Sequence, residues 1–120
     1  MPNVVVAGGV IQCSHGGQIQ FSSGASQLQV SGSGAITFGM EAGRSFASGA
    51  PGVTVPCTGL PASPAPCTSS PALAGVATLL TVGGAGVLLA SAQGRCVNTG
   101  DTSARWSIAS PGETLLSVAS

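Results

Sequence analysis

Charge is nearly absent from this chain. Of 120 residues three are basic and three acidic, there is no Lys and no Tyr, and His15 is the single histidine. Net charge is zero and only 5% of residues are charged, so the composition carries no electrostatic footprint for nucleic acid or an anionic membrane. Such sparse charge also suits a free soluble monomer poorly and points to a protein docked on something larger. Nineteen Gly, eight Pro and 3% aromatics suggest low complexity, but a hydrophobic fraction of 43% is too apolar for ordinary disorder. The length fits a single domain over residues 1–120.

A secretory leader is not recognisable. Met1-Pro2-Asn3 lacks a basic region, and the apolar run from Val4 to Val10 is short and contains Gly8-Gly9. Synthesis in the cytoplasm is therefore expected, where four cysteines favour metal ligation over disulfides. Ala72 to Ala92 carries no charge and is long enough to cross a bilayer. It also holds Gly75, Gly83, Gly84 and Gly86, has no flanking Trp or Tyr, and shows no basic bias on one side. A spanning helix is the weaker reading of that stretch.

Apolar residues recur with period 2 rather than 3.6. Gln18-Ile19-Gln20-Phe21, Gln27-Leu28-Gln29-Val30 and Ala35-Ile36-Thr37-Phe38 alternate as half-buried strands do, separated by Ser/Gly turns. Leu28 to Ile36 aligns without gaps on Leu80 to Leu88, both reading L-x-V-x-G-x-G, so both copies are expected to be strand-turn-strand. Arg105 to Ile108 and Thr114 to Val118 add two strands around Ser110-Pro111-Gly112. Residues 41 to 72 hold six prolines, which argue against a central strand or a helix and predict an ordered loop. The expected class is all-β, with roughly nine or ten short antiparallel strands.

Against this neutral background five soft metal ligands stand out: Cys13, His15, Cys57, Cys67 and Cys96. Cys13 and His15 are two apart, so one strand end would present both to the same face. Thiolate and imidazole suit tetrahedral Zn²⁺, with iron as the other metal that accepts them. Four of the five are expected to bind, with Cys13 and Cys96 competing for one position. A Cys13–His15 nucleophilic dyad is disfavoured, because Glu41, Asp101 and Glu113 all lie far from the motif in sequence. No enzyme activity is expected. Trp106 reads as core or base packing, and Arg44, Arg95 and Arg105 as surface charges or partner contacts.

The Cys13-Ser14-His15-Gly16-Gly17 motif, the twofold L-x-V-x-G-x-G unit, the two Pro-Cys steps, Arg95-Cys96-Val97-Asn98 and the strand after Pro111-Gly112 occur in an order that resembles the PAAR-like proteins. These are spike-tip proteins of contractile injection systems, which include type VI secretion and phage-tail-like particles. The resemblance covers about Val6 to Val118. It departs from the family in having Gly where the repeat turn usually has Gly-x-Pro-Val, and in offering four Cys and one His where PAAR domains use mostly His. It implies a small three-sided β-pyramid with a zinc-stapled apex. It also implies that one tip monomer docks on each trimeric, VgrG-like β-helical spike, is delivered outward on firing, contacts the target membrane transiently and assists its puncture. Effectors are possible further partners. A thin core with few long aliphatics agrees with the need for a staple. The alternative is a small secreted or envelope β-protein held by two disulfides.

Overall fold

The computed structural model describes residues 2–30, 32–57, 59–60, 63–64, 66–98, 103–113 and 115–118. Ten strands and no helix are found among them: β1 (Val10–Cys13), β2 (Gln18–Gln20), β3 (Ala25–Val30), β4 (Ser33–Ala35), β5 (Val53–Val55), β6 (Gly59–Leu60), β7 (Ser63–Pro64), β8 (Thr68–Val82), β9 (Ala85–Val97) and β10 (Arg105–Ser110). Six form one antiparallel sheet in the order β5-β2-β1-β10-β9-β8, while β3-β4 and β6-β7 are two-stranded. Of the expected elements, Ser31, Pro61, Asp101 and Thr114 lie outside the described residues.

The stretch from Ala72 to Ala92 is a β-hairpin, β8-β9, turning at Gly83-Gly84, both with positive φ. No described helix is long and apolar enough to cross a membrane. The proline-rich stretch is not loop throughout, because β5, β6, β7 and the start of β8 fall within it. Pro71 is tolerated in β8 because that strand lies at the sheet edge and its ladder shifts register between Ser69 and Ala72.

The two L-x-V-x-G-x-G copies are both hairpins, β3-β4 and the turn end of β8-β9, with Gln29 opposite Gly34 and Thr81 opposite Gly86. A third copy completes them. Ser117 bridges Asn3, and the Val118 amide donates to the Pro2 carbonyl at 3.0 Å, so Leu116-Ser117-Val118 pairs with the N-terminal strand as Leu28–Val30 pairs with β4. This copy is split between the two ends of the chain. Gly34 and Gly86 are required in their copies, since a Cβ there would come within 2.6 Å of the Ala25 carbonyl and 2.2 Å of the Ala77 carbonyl. The third copy has Asn3 at this place, and its side-chain amide donates to the equivalent carbonyl, that of Glu113, at 3.4 Å.

The three copies meet in a ring. The amide of Val5 donates to the carbonyl of Leu88, that of Leu88 to Ile36, and that of Ile36 back to Val5, each at 2.8 Å. A second set runs the other way round: Ala7 to Gly34 at 2.9 Å, Phe38 to Gly86 at 2.8 Å and Ala90 to Asn3 at 2.7 Å. Antiparallel bridges Val4–Leu89, Val6–Ala35 and Thr37–Val87 follow the same cyclic rule. Three directions that all oppose one another must fan around a common axis, so the ring has threefold pseudosymmetry within one chain.

Strand alternation makes this ring a divide between two cores. Val5, Ile36 and Leu88 point to one side, into a core with Ile11, Ile19, Phe21, Phe46, Trp106 and the four cysteines. Val4, Val6, Ala35, Val87 and Leu89 point to the other, where half-buried Leu28, Leu80 and Leu116 and the following Val30, Val82 and Val118 pack. Trp106 is core, as expected: it is buried, donates its indole N–H to the Ser70 carbonyl at 2.8 Å, and lies so close to β9 that only Gly94 fits beneath it. From the Gly83-Gly84 turn, β9 runs its 13 residues to Cys96 and Val97. At about 3.3 Å per residue that is roughly 40 Å, close to the longest dimension of the molecule, 42 Å against 24 and 22 Å. The ring therefore lies toward one end and the cysteines toward the other.

A permutant that joins Val118 to Pro2 through a two-residue turn, with new ends between Gly83 and Gly84, is expected to fold cooperatively with the same β-rich circular dichroism. Loss of the cooperative transition would show that the split copy is not equivalent to the other two.

Candidate metal centre

Cys13 ends β1 opposite Trp106, and the chain then turns tightly through Ser14-His15-Gly16-Gly17 into β2. The Gly16 amide donates to the Cys13 carbonyl at 3.0 Å, with Gly16 at φ +91°, a left-handed conformation that favours glycine. The Gly17 amide donates to the Cys13 sulfur at 3.2 Å. A Cβ on Gly17 would stand 2.6 Å from the Cys57 Cβ, so this glycine is what lets Cys57 approach. Strand alternation is thus not what places Cys13 beside His15; the turn does that, and His15 lies outside the strand.

Cys57 and Cys67 are tied to one residue that the sequence reading did not single out. The Cys57 amide donates to the Phe46 carbonyl at 2.8 Å, and the Phe46 amide donates to the Cys67 carbonyl at 2.9 Å. Phe46 itself is fully buried in the core that holds the cysteines. An isolated Phe offers no periodic signal, so only the fold exposes this role.

The four ligand atoms of Cys13, His15, Cys57 and Cys67 all lie within 4.8 Å of one another, and this group could hold a metal ion. His15 Nδ1 is 3.2 Å from the Cys67 sulfur and 3.6 Å from that of Cys57, and the two sulfurs are 3.4 Å apart. A tetrahedral ion with metal–sulfur bonds near 2.3 Å sets ligand–ligand edges of about 3.5–3.8 Å, so His15, Cys57 and Cys67 stand close to the spacing one requires. Of the two candidates for the fourth position, Cys13 belongs to this group and Cys96 does not. Cys96, paired across the ladder with Ser69 of β8, is buried and lies outside this group. Asn98, buried at the end of that strand, donates its side-chain amide to Cys67 at 3.3 Å. Such N–H···S bonds orient and stabilise a ligating thiolate.

Burial raises the Cys13, Cys67 and Cys96 thiols above their ordinary value, and Cys96 is pushed up to about 12. Desolvation is the leading cause at each, and neighbouring sulfur charges add to it. The Asn98 amide acts against it at Cys67, as do the backbone amides of His15 and Gly17 at Cys13. Several thiolates packed this closely need a cation to offset their mutual repulsion.

All four cysteines stand as free thiols. Glu41 is fully buried but belongs to no such cluster. Its carboxylate accepts from the Gly39 amide at 2.5 Å and the Ala72 amide at 2.7 Å, which ties the 39–44 turn to β8. Comparison with protein-family models, with curated proteins and with solved structures returned no match to this chain.

The raised thiols make a prediction for metal-free protein. The folded state keeps protons that the unfolded chain releases near its ordinary value of 9.0. Stability is then full below that pH and is lost as pH rises through the folded values, toward about 12 for Cys96. The denaturation midpoint of chelator-treated protein should fall from about pH 9 upward; a flat or rising midpoint would contradict this.

Proposed function

We propose that this chain is the structural tip of a contractile injection system, a PAAR-like cap on the blunt end of a trimeric β-helical spike. The threefold pseudosymmetric ring carries this reading. A cap that must sit on the axis of a trimer needs three equivalent faces, and a threefold ring within one chain supplies them. Each copy offers its Leu-x-Val strand on the side of the ring away from the cysteines, and Leu28, Leu80 and Leu116 remain half-buried there. Their partial exposure leaves apolar surface for a trimer to cover.

The opposite end narrows to the Cys/His quartet in this reading, and the ion is a structural zinc closing a pyramidal apex. Three thiolates and one imidazole form a filled tetrahedral set, which leaves no open position for a substrate. Zinc held in this way adds directly to folding free energy. No chemistry is asked of the tip: it must keep its shape under load while the force comes from elsewhere in the particle.

One native mass measurement tests both parts. Co-purified with the trimeric spike protein of the same organism, the complex should contain one tip chain and one zinc per three spike chains. Equal numbers of the two chains, or no complex, would overturn the capping role. A one-to-three complex without metal would overturn the zinc staple alone.

A further inference from the structure

The register of β9 and β10 sets Arg95 directly opposite Arg105. Like charges facing each other across a ladder are destabilising, and this chain has only three cations to place. The third is used by the fold: Arg44 donates its Nε–H to the Met40 carbonyl at 3.1 Å and lies 5.4 Å from the Phe21 ring centroid. Among the described residues no carboxylate is paired with either of the two facing arginines, and the Oε1 atom of Glu113 is buried without a partner. Glu41 is bound to Gly39 and Ala72, and Glu113 accepts from the amides of Leu115 and Leu116. Asp101 lies outside the described residues. Among the described residues, the two arginines without a partner thus form one exposed pair.

The surroundings indicate what the pair takes. Arg95, Arg105 and Leu73 line a shallow pocket of about 160 Å³ together with Ala74, Gln93 and Gly94. Leu73 is 70% exposed, and Val97, two residues beyond Arg95 on the same face of β9, is 65% exposed. Guanidinium forks match phosphate oxygens, and exposed aliphatics beside them match acyl chains, the two parts of a phospholipid at the membrane surface. The pair also lies at the cysteine end: Arg95 precedes Cys96, and the Arg105 amide donates to the Ser14 hydroxyl, between Cys13 and His15.

We infer that Arg95 and Arg105 form a binding site for a phospholipid headgroup phosphate, with Leu73 and Val97 entering the acyl boundary beside it. Zero net charge gives no long-range attraction, so recognition is short-ranged and depends on the adjacency of the two forks rather than on overall basicity. The site stands on its own residues. Its use as the first contact with a target membrane rests on the tip reading.

The experiment is flotation of the metal-loaded protein with vesicles of phosphatidylcholine alone, and of equal parts phosphatidylcholine and phosphatidylglycerol. The protein should float with the mixed vesicles, and R95Q/R105Q should bind about thirty-fold more weakly while melting no lower, since a like-charge contact is removed. Leu73→Ser should weaken flotation and leave the effect of inorganic phosphate on the arginine side-chain N–H resonances unchanged. Equal flotation of R95Q/R105Q and the parent would overturn the site. Phosphate-induced shifts without flotation would mean a free anion is the ligand and overturn the membrane assignment. Loss of spike binding in R95Q/R105Q, with no flotation of the parent, would mean that acidic protein is the partner. Spike stoichiometry is read separately, so failure to float leaves the capping role standing.

Discussion

Two rings of backbone hydrogen bonds fix how this small chain can be arranged at all. Val5, Ile36 and Leu88 each give an amide to the next and take one from the last, and Ala7, Phe38 and Ala90 close a second circuit outside them. A buried amide without a partner costs more than a typical hydrogen bond contributes, so removing any one strand from such a circuit penalises the two that remain. The N-terminal segment, β4 and β9 are therefore interdependent, although they are separated along the sequence by most of its length. The ring also assigns side chains: alternation sends the middle residue of each segment toward the cysteine core and its neighbours toward the opposite one.

Beyond the ring, the chain is held by close backbone approach rather than by bulk. Gly17 admits Cys57, Gly94 admits Trp106, and Gly34 and Gly86 admit the neighbouring strand. With few large side chains to bury, the cysteine end relies on polar and ligand contacts. Phe46 clamps the backbones of Cys57 and Cys67, and Glu41 stitches the preceding turn to β8. The quartet sits where these constraints converge, which accounts for the placement of its members on a strand end, a turn and the irregular segments after β5 and before β8.

Much of this was legible in the residues. Period-2 alternation marked β2 and β3, while the alternating run Ala35 to Phe38 leaves β4 after Ala35 and continues only as an isolated bridge at Thr37; the gapless repeat correctly turned the apolar stretch from Ala72 to Ala92 into a hairpin. The five candidate ligands include the four that converge. Other features were hidden for physical reasons. The third repeat is split between the chain ends, so no window contains it; only the recurrence of Leu-x-Val at Leu116 to Val118 signals it. That Cys13 rather than Cys96 joins the cluster depends on the Gly16-Gly17 turn and on the register of β8 with β9, neither of which spacing reveals. Proline forbids central strands but not edge strands, which is why the stretch from 41 to 72 contains more β-structure than its composition suggested. Charge counting, finally, reports totals and not adjacency, and so overlooks that two of three arginines face each other.

Native-state hydrogen exchange at single-residue resolution tests the ring most directly. If the ring holds the three copies together, the amides of Val5, Ile36 and Leu88 exchange only by global unfolding, at one common free energy, even though Val5 lies close to a chain end where fraying is the usual behaviour. Fast exchange at Val5 with slow exchange at Ile36 and Leu88 would show that the N-terminal strand is an appendage and that the threefold closure does not organise the fold.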